Sequence, residues 1–146
     1  MKANLYIQSS IHWPSIEDGV IGIVVAPEGI EPKSVFGFAN KVSSNEALLL
    51  GLKNGLRFLK YYNHIDIWID KGYIASTLSN DWIRSWKKNS FVDQSGKERM
   101  YAAIWDEIFN LTDGKELVIH PGEHHEFSNF LSCECSRRAK KHERFR

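Results

Sequence analysis

Ile65-Asp66-Ile67-Trp68-Ile69-Asp70 decides how the rest of the chain is read. Its isoleucines alternate with Asp66, Trp68 and Asp70, the period of a strand buried on at least one face. Lys71-Gly72 follows, and a helical stretch continues through Leu78, so strand gives way to helix at a carboxylate. In an α/β sheet that junction lies at the carboxyl edge of the strands, where ligands bind. Asp70 is therefore the first candidate site residue. A plainer role is open to it as well, since a carboxylate after a strand can cap the next helix.

Towards the N-terminus, Asn4–Gln8, Val20–Val25 and Ser34–Ala39 read as strands, separated by breakers that include Pro14, Gly19, Pro27, Gly29 and Pro32. Short connections predict an antiparallel meander. The period then changes: Ser43 or Ser44 can cap a helix in which Leu49, Leu52, Leu56 and Leu59 recur at helical spacing to about Tyr62. Gly51 and Gly55 inside it each cost roughly 1 kcal/mol against alanine, which close packing on the sheet would repay. Towards the C-terminus, Met100, Ile104, Ile108 and Leu111 mark another helix, Glu116–His120 a fifth strand, and Ser128 to about His142 a last helix. The order βββαβα…αβα predicts an α/β domain over 1–146, with a mixed five-stranded sheet, its first three strands antiparallel, and helices on both faces.

Charge nearly balances at a formal +1, so bulk charge does not mark a nucleic-acid binder. The local distribution says more: Arg137 to Arg146 holds six Arg/Lys against one acid, Glu143. That tail is either a solvated helix end or an arm for nucleic acid or an acidic protein. No apolar run approaches membrane-spanning length, and Met1-Lys2-Ala3-Asn4 leads into a strand rather than a signal peptide. Cys133 and Cys135, one residue apart, do not bridge without strain, which predicts a reduced, cytoplasmic protein. With His120, His124 and His125 they could form a soft-metal cluster, but no Cys-x₂-Cys pair is present, and one buried thiol beside loop histidines is the simpler reading.

The segment Trp82-Ile83-Arg84-Ser85-Trp86-Lys87-Lys88-Asn89-Ser90-Phe91, with Lys97 beyond it, has two readings. Trp82 and Trp86, four apart on a helix, can pack on the core and leave the lysines as a solvated edge. Alternatively Trp82, Arg84, Trp86, Lys87, Lys88, Phe91 and Lys97 form a basic, aromatic surface that meets phosphates and bases.

In its order of motifs the chain resembles type I ribonuclease H, over nearly its full length. The Trp82–Phe91 segment is similar to that family's basic protrusion, which grips the DNA strand of an RNA/DNA hybrid. Ser43-Ser44-Asn45-Glu46-Ala47 resembles the family's entry to its first helix, which makes Asn45 a candidate nucleic-acid contact. Gly122 to Asn129 has the family's spacing from the glycine of its histidine loop to the asparagine of its last helix, and Arg137-Arg138-Ala139 resembles that helix's end.

The family works through four acids that hold two Mg²⁺ ions. The resemblance puts Ser9, Leu48 and Cys133 at three of those positions and keeps Asp70 alone; Glu123 takes the loop histidine's place, with His124 adjacent. Closely spaced divalent ions repel and need carboxylates to offset their charge. Leu48 offers no oxygen and a thiol is the wrong donor for Mg²⁺. The expectation is a degenerate member that binds an RNA/DNA hybrid or structured RNA, with Asp70 at most a weak metal ligand. Two alternatives stand beside it. One is a protein-interaction subunit or inhibitor built on the same fold. The other is a live hybrid-specific endonuclease that uses Mg²⁺ or Mn²⁺ on Asp70 with Asp18, Glu46 or Glu134.

Overall fold

The computed structural model describes residues 1–144, with side chains through Lys141. The strands are β1 Lys2–Ser9, β2 Ile16–Pro27, β3 Lys33–Ser43, β4 His64–Ile69 and β5 Glu116–Pro121. The helices are α1 Ser44–Phe58, α2 Tyr73–Ser79, α3 Trp82–Lys88, α4 Ala102–Thr112 and α5 Ser128–Arg144. One five-stranded sheet runs in the order β3-β2-β1-β4-β5. β1, β2 and β3 pair antiparallel, while β4 lies parallel to β1 and β5 parallel to β4. The predicted mixed five-stranded sheet, with its first three strands antiparallel, is what forms.

Alternation within the strands sets the two faces. Leu5, Ile7, Ile65, Ile67 and Ile69 point into the main core with Leu49, Leu52 and Leu56 of α1 and Trp105 and Ile108 of α4. Tyr6 and Val24 point the other way, against Leu131 of α5, with Trp68 packed beside them. Helices thus cover both faces. The two glycines of α1 let it settle on the sheet: a Cβ on Gly51 would lie 2.8 Å from Ile7 Cγ2, and one on Gly55 2.3 Å from Leu5 Cδ1. The α1 cap is Ser43, whose Oγ accepts the Glu46 N–H at 3.1 Å.

Several boundaries move. α1 stops at Phe58 rather than Tyr62, because the Leu59 N–H is shared between the Gly55 and Leu56 carbonyls and the helix winds down there. β2 begins at Ile16, so Glu17 and Asp18 lie in a strand instead of a loop; the Lys41 N–H bonds Asp18 Oδ1 at 2.8 Å. Met100 does not mark the helix it was expected to start. It is 72% exposed, and Trp105, fully buried, is the residue that anchors α4.

Candidate functional site

β1, β4 and β5 run in the same direction, so Ser9, Ile69 and Pro121 end at one edge of the sheet. β3 also ends there, which brings the N-terminus of α1 to the same edge. Asp70 stands at the centre of this edge, between two clefts. The first, about 230 Å³, is walled by Gln8, Trp68, Glu123, His124, His125 and Ser128. The second, about 310 Å³, is walled by Trp13, Asn45, Leu48, Lys71 and Tyr73. Asp70 lines both.

The helix-cap role does not explain Asp70. The N-cap of α2 is Gly72, with no side-chain cap bond. Among the described residues Asp70 makes no hydrogen bond and no ion pair. An exposed carboxylate without a structural partner is left free for a ligand.

Its surroundings differ in part from the expected set. Gln8, not Ser9, is the β1 residue in a cleft with Asp70. The strand period accounts for this: Gln8 falls on the Tyr6 side of β1, whereas the Ser9 hydroxyl turns back to the Ile11 backbone, with its Oγ 3.2 Å from the Ile11 nitrogen. Leu48 does stand beside Asp70, 7% exposed. Cys133 does not: it is exposed on α5, and Ser128 is the α5 residue that reaches the first cleft. Cys135 is the buried thiol, against the Gln8 carbonyl, and burial pushes its pKa up to about 11.

The acids weighed as further metal ligands lie away from Asp70 or are held by other groups. Asp18 holds the Lys41 backbone. Glu134 is clamped by Arg137 and Arg138, whose hydrogen bonds lower its pKa to about 2. Glu46 sits in the first turn of α1 and lines neither cleft. Glu123 shares the first cleft with Asp70, but its Oε1 lies 3.2 Å from His120 Nδ1. Among the described residues no three of His, Cys, Asp and Glu converge on a point that could hold a metal ion. One free carboxylate beside an amide and a leucine does not fit a centre that must offset two divalent charges with hard oxygen ligands.

The Trp/Lys segment divides between core and solvent. Phe91 is 5% exposed in the main core, so it is a packing residue and not a nucleic-acid contact. Trp86 packs edge-on against Trp105 and stacks with Tyr73, and Arg99 lies over its ring at 4.6 Å. Trp82 remains 46% exposed. Arg84 pairs with Asp81 and Asp113, and Lys87 pairs with Asp106 at 2.6 Å. Lys88 and Lys97 are exposed, and neither side chain has an acidic partner among the described residues. The end of the basic tail, Arg144 and Arg146, has its side chains outside the described residues.

A network across β4 and β5 was not foreseen. His64 bonds Glu116 and Asp66, and His120 bonds the other Asp66 oxygen and Glu123. The parallel register pairs Trp68 with His120. Alternation of Asp66 and Trp68 with the isoleucines was the available clue, but without the register it named no partners.

No protein-family model matches the chain. A ribonuclease H from Acetivibrio thermocellus is 27% identical over 85 residues, 58% of each chain. One from a Wolbachia of Drosophila simulans is 26% identical over the same length, again 58% of each. The match thus spans 58% of the length of these curated relatives. Among solved structures, LC9-RNase H1, described as a type 1 RNase H with the type 2 active-site motif, superposes with a TM-score of 0.71 at 17% identity, covering 96% of this chain and 72% of that one. A foamy viral protease-reverse transcriptase bound to dsDNA gives 0.70 at 16% identity, covering 95% and 92%. By superposition over nearly its whole length the chain has a ribonuclease H-like fold, and in sequence it is similar to those ribonucleases H over 58% of its length.

Proposed function

We propose that this protein binds nucleic acid, an RNA/DNA hybrid or a structured RNA, without cleaving it. The observation that carries this reading is the setting of Asp70. It has Gln8 and Leu48 beside it where a two-metal hydrolase needs further carboxylates, and Asp18, Glu46 and Glu134 are not there to replace them. A phosphodiester at this edge would lack both the activated water and the charge that stabilises a leaving oxygen. Binding survives the loss of chemistry because it rests on other residues. Trp82 offers an exposed ring for sugar or base, Lys88 and Lys97 offer ammonium groups without an acidic partner among the described residues, and Asn45 lines the second cleft. Solved relatives of this fold support the choice of ligand: one is a reverse transcriptase in complex with an RNA/DNA hybrid, another an RNase H1 in complex with one.

The test combines binding with cleavage. A labelled RNA/DNA hybrid is incubated with the protein in Mg²⁺, in Mn²⁺ and in chelator, beside an Asp70→Asn control. Retention of hybrid in chelator, with intact RNA in both metals, is the expected result. Metal-dependent cleavage lost in Asp70→Asn would make this an enzyme. No retention under any condition would turn attention to a protein partner.

A further inference from the structure

The second cleft presents three unengaged groups of different character around one floor. Asp70 offers a carboxylate without hydrogen bond or counter-ion among the described residues. Lys71, next to it on the same wall, offers an ammonium that is likewise unpaired. Trp13 holds its indole at the rim, 77% exposed, with no ring partner among the described residues. Leu48 forms an apolar floor and Tyr73 a second aromatic wall. Without a metal, a phosphate is disfavoured directly at Asp70, because like charges repel. The ligand group favoured at Asp70 is therefore a donor, while an anion is welcome at Lys71.

We propose that this cleft binds a guanine nucleotide, with the base edge on Asp70, the ring on Trp13 and the phosphate at Lys71. The proposal rests on the nucleic-acid-binding reading above and names the chemical group read at its emptied centre. A carboxylate only accepts, and it accepts best from two adjacent parallel donors. Guanine supplies such a pair in its ring N1–H and exocyclic amine. Adenine and cytosine put an acceptor nitrogen next to their amine, and uracil flanks its single N–H with carbonyl oxygens; each would set a lone pair against the carboxylate. Stacking on the indole holds any base but selects none, so selection falls to Asp70. A guanidinium from a protein could also satisfy Asp70, but it would meet the Lys71 ammonium and leave that charge unanswered. A guanine nucleotide answers both charges.

The test uses the intact protein and calorimetric titration with GMP, guanosine, AMP, CMP and UMP. GMP is expected to bind about tenfold or more tightly than the other three nucleotides, the discrimination of one bidentate edge contact. Asp70→Asn should erase that preference, and its side chain makes no bond whose loss would disturb the fold. Guanosine should bind more weakly than GMP, and Lys71→Ala should remove the difference. Trp13→Ala should weaken all of them. Short single-stranded RNAs with and without one guanine then separate the sources. Tighter binding of the guanine-containing strand than of GMP assigns the cleft to an unpaired base in a strand, and equal binding assigns it to the free nucleotide. Equal affinity for the four nucleotides, a preference that persists in Asp70→Asn, or binding of an arginine peptide in place of GMP would overturn the proposal. Hybrid retention without any GMP binding would sink this inference alone; loss of both would take the broader reading with it.

Discussion

The imidazole of His120 lies flat on the indole of Trp68, with 3.8 Å between ring centroids and 6° between planes. Parallel pairing of β4 and β5 sets the two opposite each other. Both ring nitrogens of His120 then meet carboxylates, Nε2 at Asp66 Oδ2 (2.8 Å) and Nδ1 at Glu123 Oε1 (3.2 Å). A doubly protonated ring can donate at both ends, and its positive charge sits over an electron-rich indole face. Through Glu123 this stack ties the loop of the first cleft to the sheet.

A pH dependence follows from that arrangement. Burial works against the imidazolium of His120, but the hydrogen bonds to Asp66 and Glu123 outweigh it and hold its pKa above the ordinary histidine value. A raised folded-state pKa adds stability that is fully present below the unfolded value of about 6.5 and is lost as pH rises through the folded value. His125 acts in the opposite sense, its pKa lowered by burial and by His124, so total stability mixes the two. The difference between wild type and His120→Gln isolates one of them. Thermal melts should show the wild type ahead by more at about pH 5.5 than at about pH 8.5, either side of the histidine range. A gap that does not change with pH would mean the imidazole is not charged in the fold.

The glycines of α1 lead to a second expectation. Alanine at Gly55 should gain about 1 kcal/mol in helix propensity. Its Cβ would nevertheless fall 2.3 Å from Leu5 Cδ1, and Leu5 is fully buried. Overpacking of a tight core costs about 1–3 kcal/mol, so Gly55→Ala should destabilise on balance. Gly51→Ala, at 2.8 Å from Ile7 Cγ2, should do so by less. Urea unfolding measures both, and stabilisation by either would show that α1 can lift from the sheet.

Those glycines also mark how far the sequence could be read. Alternation in Ile65–Ile69 and leucine spacing in α1 report burial directly, because strands and helices carry their periods in the chain. The face-to-face packing of Gly51 and Gly55 was readable for the same reason. What the periods do not carry is register. A shift of one residue along a strand moves a side chain to the other face, and that is the whole distance between Ser9 and Gln8. In α5 the residue at the cleft is Ser128, and the exposure of Cys133 depends on how the helix is rotated, which spacing from Gly122 does not fix. Phe91 leaves the basic surface because the chain doubles back there, where the Phe91 N–H bonds the Trp86 carbonyl at 2.7 Å, a turn that residue spacing does not announce.

The protrusion is expected to divide along the same line. Lys88 has no acidic partner among the described residues, while Asp106 already holds Lys87 at 2.6 Å. Lys88→Glu should therefore weaken hybrid binding more than Lys87→Glu, and its loss should lower the salt slope by about 1, the signature of one phosphate contact. Phe91→Ala should behave differently, costing about 3–5 kcal/mol of stability as a buried aromatic truncation. Filter binding across a salt series, with melts alongside, separates the three. Equal effects of Lys87→Glu and Lys88→Glu would argue that the Asp106 pair opens on binding.

Adding carboxylates around Asp70 tests whether oxygen ligands are what this edge lacks for holding metal. Leu48 is 7% exposed, so Leu48→Glu places a charge where little water reaches it, next to Asp70. Combined with Gln8→Asp, the variant should melt below wild type in chelator, because like charges in a shared site repel and resist ionising. The same three carboxylates supply the hard oxygens that Mn²⁺ and Mg²⁺ prefer. Metal that binds the folded state alone stabilises it by mass action, so millimolar Mn²⁺ should raise the melting temperature of the double variant. Wild type, with Asp70 as the one unpartnered carboxylate lining the two clefts among the described residues, should respond little. Calorimetry gives the second readout, with Mn²⁺ binding heat expected in the variant and none in the variant that also carries Asp70→Asn. A double variant that stays destabilised and silent towards Mn²⁺ would mean that Gln8, Leu48 and Asp70 do not converge on one point. Wild type that responds as strongly as the variant would show that Asp70 recruits metal with partners other than these, and would reopen the case for chemistry at this edge.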